Sequence, residues 1–133
     1  MKNNPKNGYI TLVSALVATT IGLAVAVSLL LLGAGFLKNA LAFDRSGQSK
    51  ALTNACVEEA LQHIRLDTNY TGSDTITFDT NKTCNYTVTA QSGENRTITA
   101  YGNVFSTVRK IKVTISAINP KIIIATWLEP ADF

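Results

Sequence analysis

Gly8-Tyr9-Ile10-Thr11-Leu12-Val13-Ser14, continuing through residues 15–37, carries no charged side chain. An uncharged run of roughly 29 residues would form a helical rod of about 43 Å, whereas the hydrocarbon core of a bilayer is about 30 Å thick. The stretch is therefore expected to be a membrane-spanning helix that either tilts or extends beyond the lipid to pack against protein. Ser14, Ala18, Gly22 and Ala26 recur every fourth residue within it. In lipid, apolar groups gain nothing by leaving one apolar medium for another, so helix association depends on close backbone approach, which small residues permit. The four residues are thus candidates for a helix-packing face. The alternative is that they reflect only the general Gly and Ala content of membrane helices.

The chain has 133 residues, so removing the start and the apolar helix leaves enough for one small domain. The formal net charge is +3. Its basic residues are scattered, and the only adjacent pair is Arg109-Lys110. A nucleic-acid surface needs clustered Lys and Arg with interleaved aromatics, so no nucleic-acid partner is expected. The two cysteines, Cys56 and Cys84, both follow the apolar helix, and their separation does not match a metal-binding C-x-x-C. Either they form a disulfide in an oxidising compartment or they are buried free thiols in a reducing one.

Residues 1–8, MKNNPKNG, are short, polar and basic, with Pro5 and Gly8 as helix breakers. They read as a leader with no structure of its own. Lys2 and Lys6 favour a cytoplasmic amino terminus, but Lys38, Arg45 and Lys50 on the other flank leave the charge comparison undecided. A disulfide would place the C-terminal part outside the cytoplasm.

From residue 38 to 66 the pattern changes. Leu52, Cys56, Ala60 and Ile64 fall on one helical stripe, Val57 and Leu61 widen it, and Asn54, Glu58, Gln62 and Arg65 take the opposite side. This is an amphipathic helix whose apolar face needs a cover. Gly47 costs about 1 kcal/mol against Ala in a helix interior, leaving open whether the helix is continuous, kinked or interrupted there.

Residues 67–74 are loop-like, and then Thr, Val, Ile and aromatics begin to alternate. Strands are expected at 75–78, 85–90, 96–101, 107–116 and 122–127. The separators are Asn81-Lys82, Ser92-Gly93-Glu94-Asn95, Gly102-Asn103 and Asn119-Pro120. Short links imply antiparallel neighbours. Ile111, Val113 and Ile115 alternate with Lys110, Lys112 and Thr114, giving one dry and one wet face. The expected fold class is α+β: a long N-terminal helix whose amphipathic second half lies across a small antiparallel sheet, pinned by Cys56–Cys84. The corresponding divisions are 1–8, 9–37, 38–66 and an extracytoplasmic β domain at 67–133.

Catalytic chemistry is not legible. His63 is the only histidine, one turn after Glu59, and reads as a boundary residue satisfied by that carboxylate. Glu58 and Glu59 diverge by about 100° on a helix, which suits solvent rather than a carboxylate dyad. No phosphate-binding glycine loop, nucleophile elbow or zinc spacing is present, so no cofactor, metal or enzymatic activity is expected. Four N-x-T triplets begin at Asn69, Asn81, Asn85 and Asn95, and a chain rich in Asn and Thr produces such triplets by chance.

A basic leader ending in Gly8, an aromatic at Tyr9, a long uncharged helix and a small β-rich domain together resemble type IV pilins and the pseudopilins of type II secretion. The residues that carry the resemblance are Lys6-Asn7-Gly8-Tyr9-Ile10-Thr11-Leu12, similar to the family's G-F-T-L cleavage region. A weaker likeness links Ala55-Cys56-Val57-Glu58-Glu59-Ala60-Leu61 to the post-membrane helix of some minor pilins. The resemblance implies cleavage after Gly8 by a prepilin peptidase, methylation of the new amino terminus at Tyr9, and polymerisation with other pilin subunits through the apolar helix. It also implies residence in the cytoplasmic membrane, amino terminus inside and domain outside, before assembly into a surface filament. Three departures stand out: Tyr9 replaces Phe, Ile10 precedes Thr11-Leu12, and Val13 occupies the place where major subunits carry Glu. Some minor, tip-located subunits lack that Glu, so the resemblance points to a minor pilin or pseudopilin rather than the bulk filament protein.

Two other classes fit the same sequence. One is a single-pass membrane protein with an external β-rich binding domain. The other is a secreted domain whose signal peptide is cleaved after Ala42, since Ala40-Leu41-Ala42 has the small-x-small form; its apolar region is about twice the usual length.

Overall fold

The structure, a computed structural model, describes residues 5–131. Helix α1 spans Pro5–Leu66, and β1 (Gly72–Asp79), β2 (Lys82–Ala90), β3 (Arg96–Val104), β4 (Thr107–Ala117) and β5 (Ile123–Leu128) follow it. The fold is α+β, as the sequence implies. The chain divides into two compact units, Met1–Leu41 and Ala42–Phe133.

In the first unit residues 5–8, the described part of the leader, are helical rather than structureless. Pro5 and Gly8 therefore do not break the helix at residues 5–8. The rest of the leader, residues 1–4, lies outside the described residues. Every residue from 8 to 41 is exposed.

The second unit is a helix laid on a sheet. Its helical portion passes through Gly47 without interruption. Cys56, Val57, Ala60, Leu61 and Ile64 are buried against the sheet, as the apolar stripe requires. The stripe also continues one turn upstream through Ser49 and Thr53, both fully buried. The strands form an antiparallel meander in the order β1-β2-β3-β4-β5. Tyr86, Val88, Ile98, Ala100, Ile111, Val113 and Ile115 supply the sheet's side of the core. Cys56 and Cys84 are joined, with their Cα atoms 6.2 Å apart, which ties the helix to the second strand.

The first four strands run longer than expected, and the fifth, at 123–128 rather than 122–127, is displaced by one residue. Gly72 to Asp74 belong to β1, and Gly102-Asn103 lie within β3 rather than at a turn. The chain reverses instead at Phe105-Ser106, between the paired Val104 and Thr107, and both turn residues have positive φ (47° and 76°). A two-residue hairpin loop with both φ values positive matches the twist of its strands, and Gly or Asn usually fills it. Here the strain of two bulkier residues is offset by anchorage: the Phe105 N–H donates to the Asn81 carbonyl (3.1 Å), and the Arg45 guanidinium lies 5.1 Å from the centre of the Phe105 ring.

Candidate functional site

The candidate site is the apolar half of α1. Its polar atoms are dealt with locally. All five Ser and Thr hydroxyls between residues 8 and 41 donate to carbonyls of the helix itself: Thr11 to Gly8, Ser14 to Ile10, Thr19 to Leu16, Thr20 to Val17 and Ser28 to Ala24. A surface without water must satisfy its polar groups internally, and these back-bonds do so. With no charge from Gly8 to Leu37, this half presents apolar side chains, satisfied Ser and Thr hydroxyls and the Tyr9 phenol at its start, and by length and hydropathy it can cross a membrane.

Ser14, Ala18, Gly22 and Ala26 are exposed, and a Cβ built on Gly22 meets nothing within 4 Å. Each fourth residue advances about 40° around a helix with 3.6 residues per turn, so the four form a shallow groove that winds around the rod. A partner helix seated along such an i, i+4 row crosses at an angle. Tyr9 is 72% exposed and Val13 39%. The first turn of α1 contains no acidic residue, and the first carboxylate after it is Asp44. Nothing in the apolar half can therefore pair with a positively charged amino terminus. Ala40-Leu41-Ala42 lies inside α1 rather than in an extended segment.

In the second unit the helix and sheet meet through polar contacts at one end. The Ser49 hydroxyl donates to the Gly102 carbonyl (2.7 Å), and the Thr53 hydroxyl lies within hydrogen-bond distance of the Ser49 carbonyl (2.7 Å) and the Arg109 carbonyl (3.2 Å). The Arg109 guanidinium donates to the Ser46 hydroxyl. At the other end, Arg96 is buried and donates to three carbonyls, those of Thr68, Gly93 and Asn95, clamping the β2–β3 loop to the segment after the helix. Its Nε has no partner. The Glu94 carboxylate accepts from the N–H groups of Ile118 and Asn119, which hold it below the usual carboxylate range.

His63 stacks on Tyr70 (ring centres 4.9 Å apart) and lies 3.5 Å from Glu59, so the lone histidine sits at the helix boundary beside the expected carboxylate. Glu58 and Glu59 are both exposed. Tyr70 and Tyr86 share a hydroxyl contact of 3.3 Å, and burial pushes the Tyr86 phenol well above its ordinary value. Among the described residues no group of three or more His, Cys, Asp or Glu is placed to hold a metal. Asn69 and Asn81 are exposed, whereas Asn85 and Asn95 are half-buried, Asn85 donating to Thr75 across the β1–β2 pair. On the wet face of the sheet a shallow depression is lined by Asn85, Thr87, Thr99, Tyr101, Val108 and Lys110.

Sequence reasoning missed Ser49, Thr53, Arg96 and the close approach at Gly102. The first two could have been found by extending the stripe upstream from Cys56 at three- and four-residue steps. Arg96 gives no local signal, because its acceptors lie on segments brought near only by the fold. Comparisons with protein-family models, curated proteins and solved structures found no match to this chain.

Proposed function

We propose that this chain is a minor pilin or pseudopilin: a structural subunit that resides in the cytoplasmic membrane and then assembles, through its apolar N-terminal helix, into a type IV pilus-like filament or its tip. One observation carries the reading. A single helix of 62 residues has an uncharged, wholly exposed stretch at 8–37 with self-satisfied Ser and Thr hydroxyls, and its last turns belong to a disulfide-pinned α+β domain. A helix with more apolar length than a bilayer needs can rest in lipid first and later meet neighbouring helices with the same surface. On this reading the leader is cut after Gly8, Tyr9 becomes the methylated amino terminus, and the domain faces outward, where oxidation sustains Cys56–Cys84.

Val13 sets the copy number. An amino-terminal charge buried among apolar helices with no carboxylate partner is costly, and a homopolymer would repeat that cost at every interface. One copy at a tip, or scattered among carboxylate-bearing subunits, limits it. The test is to express the processed protein with and without the other pilins of its host and to image the surface. Trace amounts in purified pili, with loss of piliation on deletion, support the minor-subunit reading; abundant filaments of this chain alone refute it.

A second reading, a single-pass protein whose external domain binds a ligand, is favoured by the depression around Tyr101 on the wet face of the sheet. It predicts an uncut amino terminus and no association with filaments.

A further inference from the structure

The two edges of the sheet are built differently. β1, at one edge, carries Asp74 and Asp79. Charge on an edge discourages pairing with another chain. β5, at the other edge, has neither charge nor proline, and with the residue before it reads Ile122-Ile123-Ile124-Ala125-Thr126-Trp127-Leu128. All of β5 is exposed, including Ile123, Ile124, Trp127 and Leu128. An uncharged, β-branched and aromatic edge with its outward N–H and C=O groups open is a template for strand addition.

Two features of the strand say which occupant fits. Thr114 pairs with Thr126 and the next residue, Ile115, pairs with Ile124, so Ala125 is an extra residue on β5. That bulge brings Ile124 onto the same face as Trp127, because their partners Ile115 and Val113 share the core face. If a second β5 pairs antiparallel about a two-fold axis between Ala125 and Thr126, Ile124 of each copy stands opposite Trp127 of the other, on the same face. Aromatic against β-branched is a favourable cross-strand pair. Lys121 and Glu129 flank the uncharged run. Antiparallel self-pairing sets the Lys121 end of each copy beside the Glu129 end of the other, whereas parallel pairing would set like beside like. Glu129 already contacts Lys50 of its own chain and remains 42% exposed at its side chain, so it is accessible to a second cation.

We infer that β5 is a homodimer interface, at which two copies of this chain join their sheets edge to edge through antiparallel β5 strands. A two-fold contact of this kind closes on itself and uses no part of the N-terminal helix, so it stands whether or not the helix assembles into a filament.

The experiment uses the full-length chain in a non-ionic detergent. Thr126→Cys, next to the axis, is treated with a short bifunctional maleimide, with Thr75→Cys on the opposite edge as control; both sites are exposed, so both variants should fold. Covalent dimer from Thr126→Cys and little from Thr75→Cys is expected. Equal yields from the two sites, or none from Thr126→Cys, would overturn the inference. In sedimentation equilibrium, Ile124→Lys should raise the dimer dissociation constant at least about tenfold. Lys121→Glu should raise it roughly threefold to tenfold, and Lys121→Glu with Glu129→Lys should restore it. Failure of the double variant to recover, with its helical circular dichroism intact, would also overturn it.

Discussion

Ser49 and Gly102 meet at backbone distance: the Ser49 hydroxyl donates to the Gly102 carbonyl at 2.7 Å, and a Cβ on Gly102 would stand 2.6 Å from the Ser49 carbonyl oxygen. The same Cβ would lie 2.6 Å from the Thr53 hydroxyl and 3.0 Å from its amide nitrogen. Backbone cannot swing aside as a flexible side chain can. Gly102→Ala is therefore expected to lift the helix from β3 and destabilise the domain by about 3 kcal/mol. Thermal unfolding followed by circular dichroism checks this, and an unchanged midpoint would show that the helix does not lie this close.

Arg96 holds three carbonyls from two separate segments. Arg96→Met keeps the aliphatic bulk but leaves those acceptors without donors, with an expected loss of about 2–4 kcal/mol. Arg96→Lys should recover little, since one ammonium cannot reproduce the spread of a guanidinium fork. A lysine variant as stable as wild type in urea would contradict the clamp.

Cys56 and Cys84 close a loop with a sequence separation of 28. Chain-entropy reasoning assigns such a cross-link about 3–4 kcal/mol, so Cys56→Ser with Cys84→Ser should lower stability by that order. The pairing itself is read by mass spectrometry of non-reduced peptides, after alkylation at lysis. Two alkylated thiols from the native compartment would remove the disulfide from the account.

The Tyr86 phenol is raised first by burial and then by its hydroxyl contact with Tyr70. An unfolded tyrosine titrates near 10, below the folded value, so the unfolded chain loses this proton first. Tyr86 therefore contributes no pH dependence below about pH 10, and its share of stability is lost as pH rises above that. Phenolate absorbance should show one phenol that is absent from the Tyr86→Phe variant and titrates above the ordinary tyrosine range. Tyr86→Phe should flatten the fall in stability at high pH, and an identical slope in both proteins would exclude this residue as its source.

Most of the architecture was legible because periodicity reports burial directly. The stripe from Leu52 to Ile64 and the alternation from Lys110 to Ile115 each announce a dry face, and two dry faces in a small domain cover one another. The turns were less legible. Gly102-Asn103 has the composition of a turn, yet Gly102 is where the helix approaches the strand, and the reversal falls on Phe105-Ser106, which local preference disfavours. The leader misled as well: Pro5 and Gly8 have the composition of breakers, yet residues 5–8 are helical. Arg96 and the Ser49–Gly102 contact depend on residues far apart in sequence, which no local pattern encodes. The apolar helix was the most readable part, because an uncharged run of that length has few physical uses.

The amino-terminal sequence of the protein isolated from its membrane tests the pilin-like account most directly. The account predicts a chain beginning at Tyr9, its mass raised by one methyl group. A chain beginning at Phe43 would make the apolar stretch a removed signal peptide, and an intact Met1 would leave a plain membrane anchor; either result would contradict assembly through a processed helix.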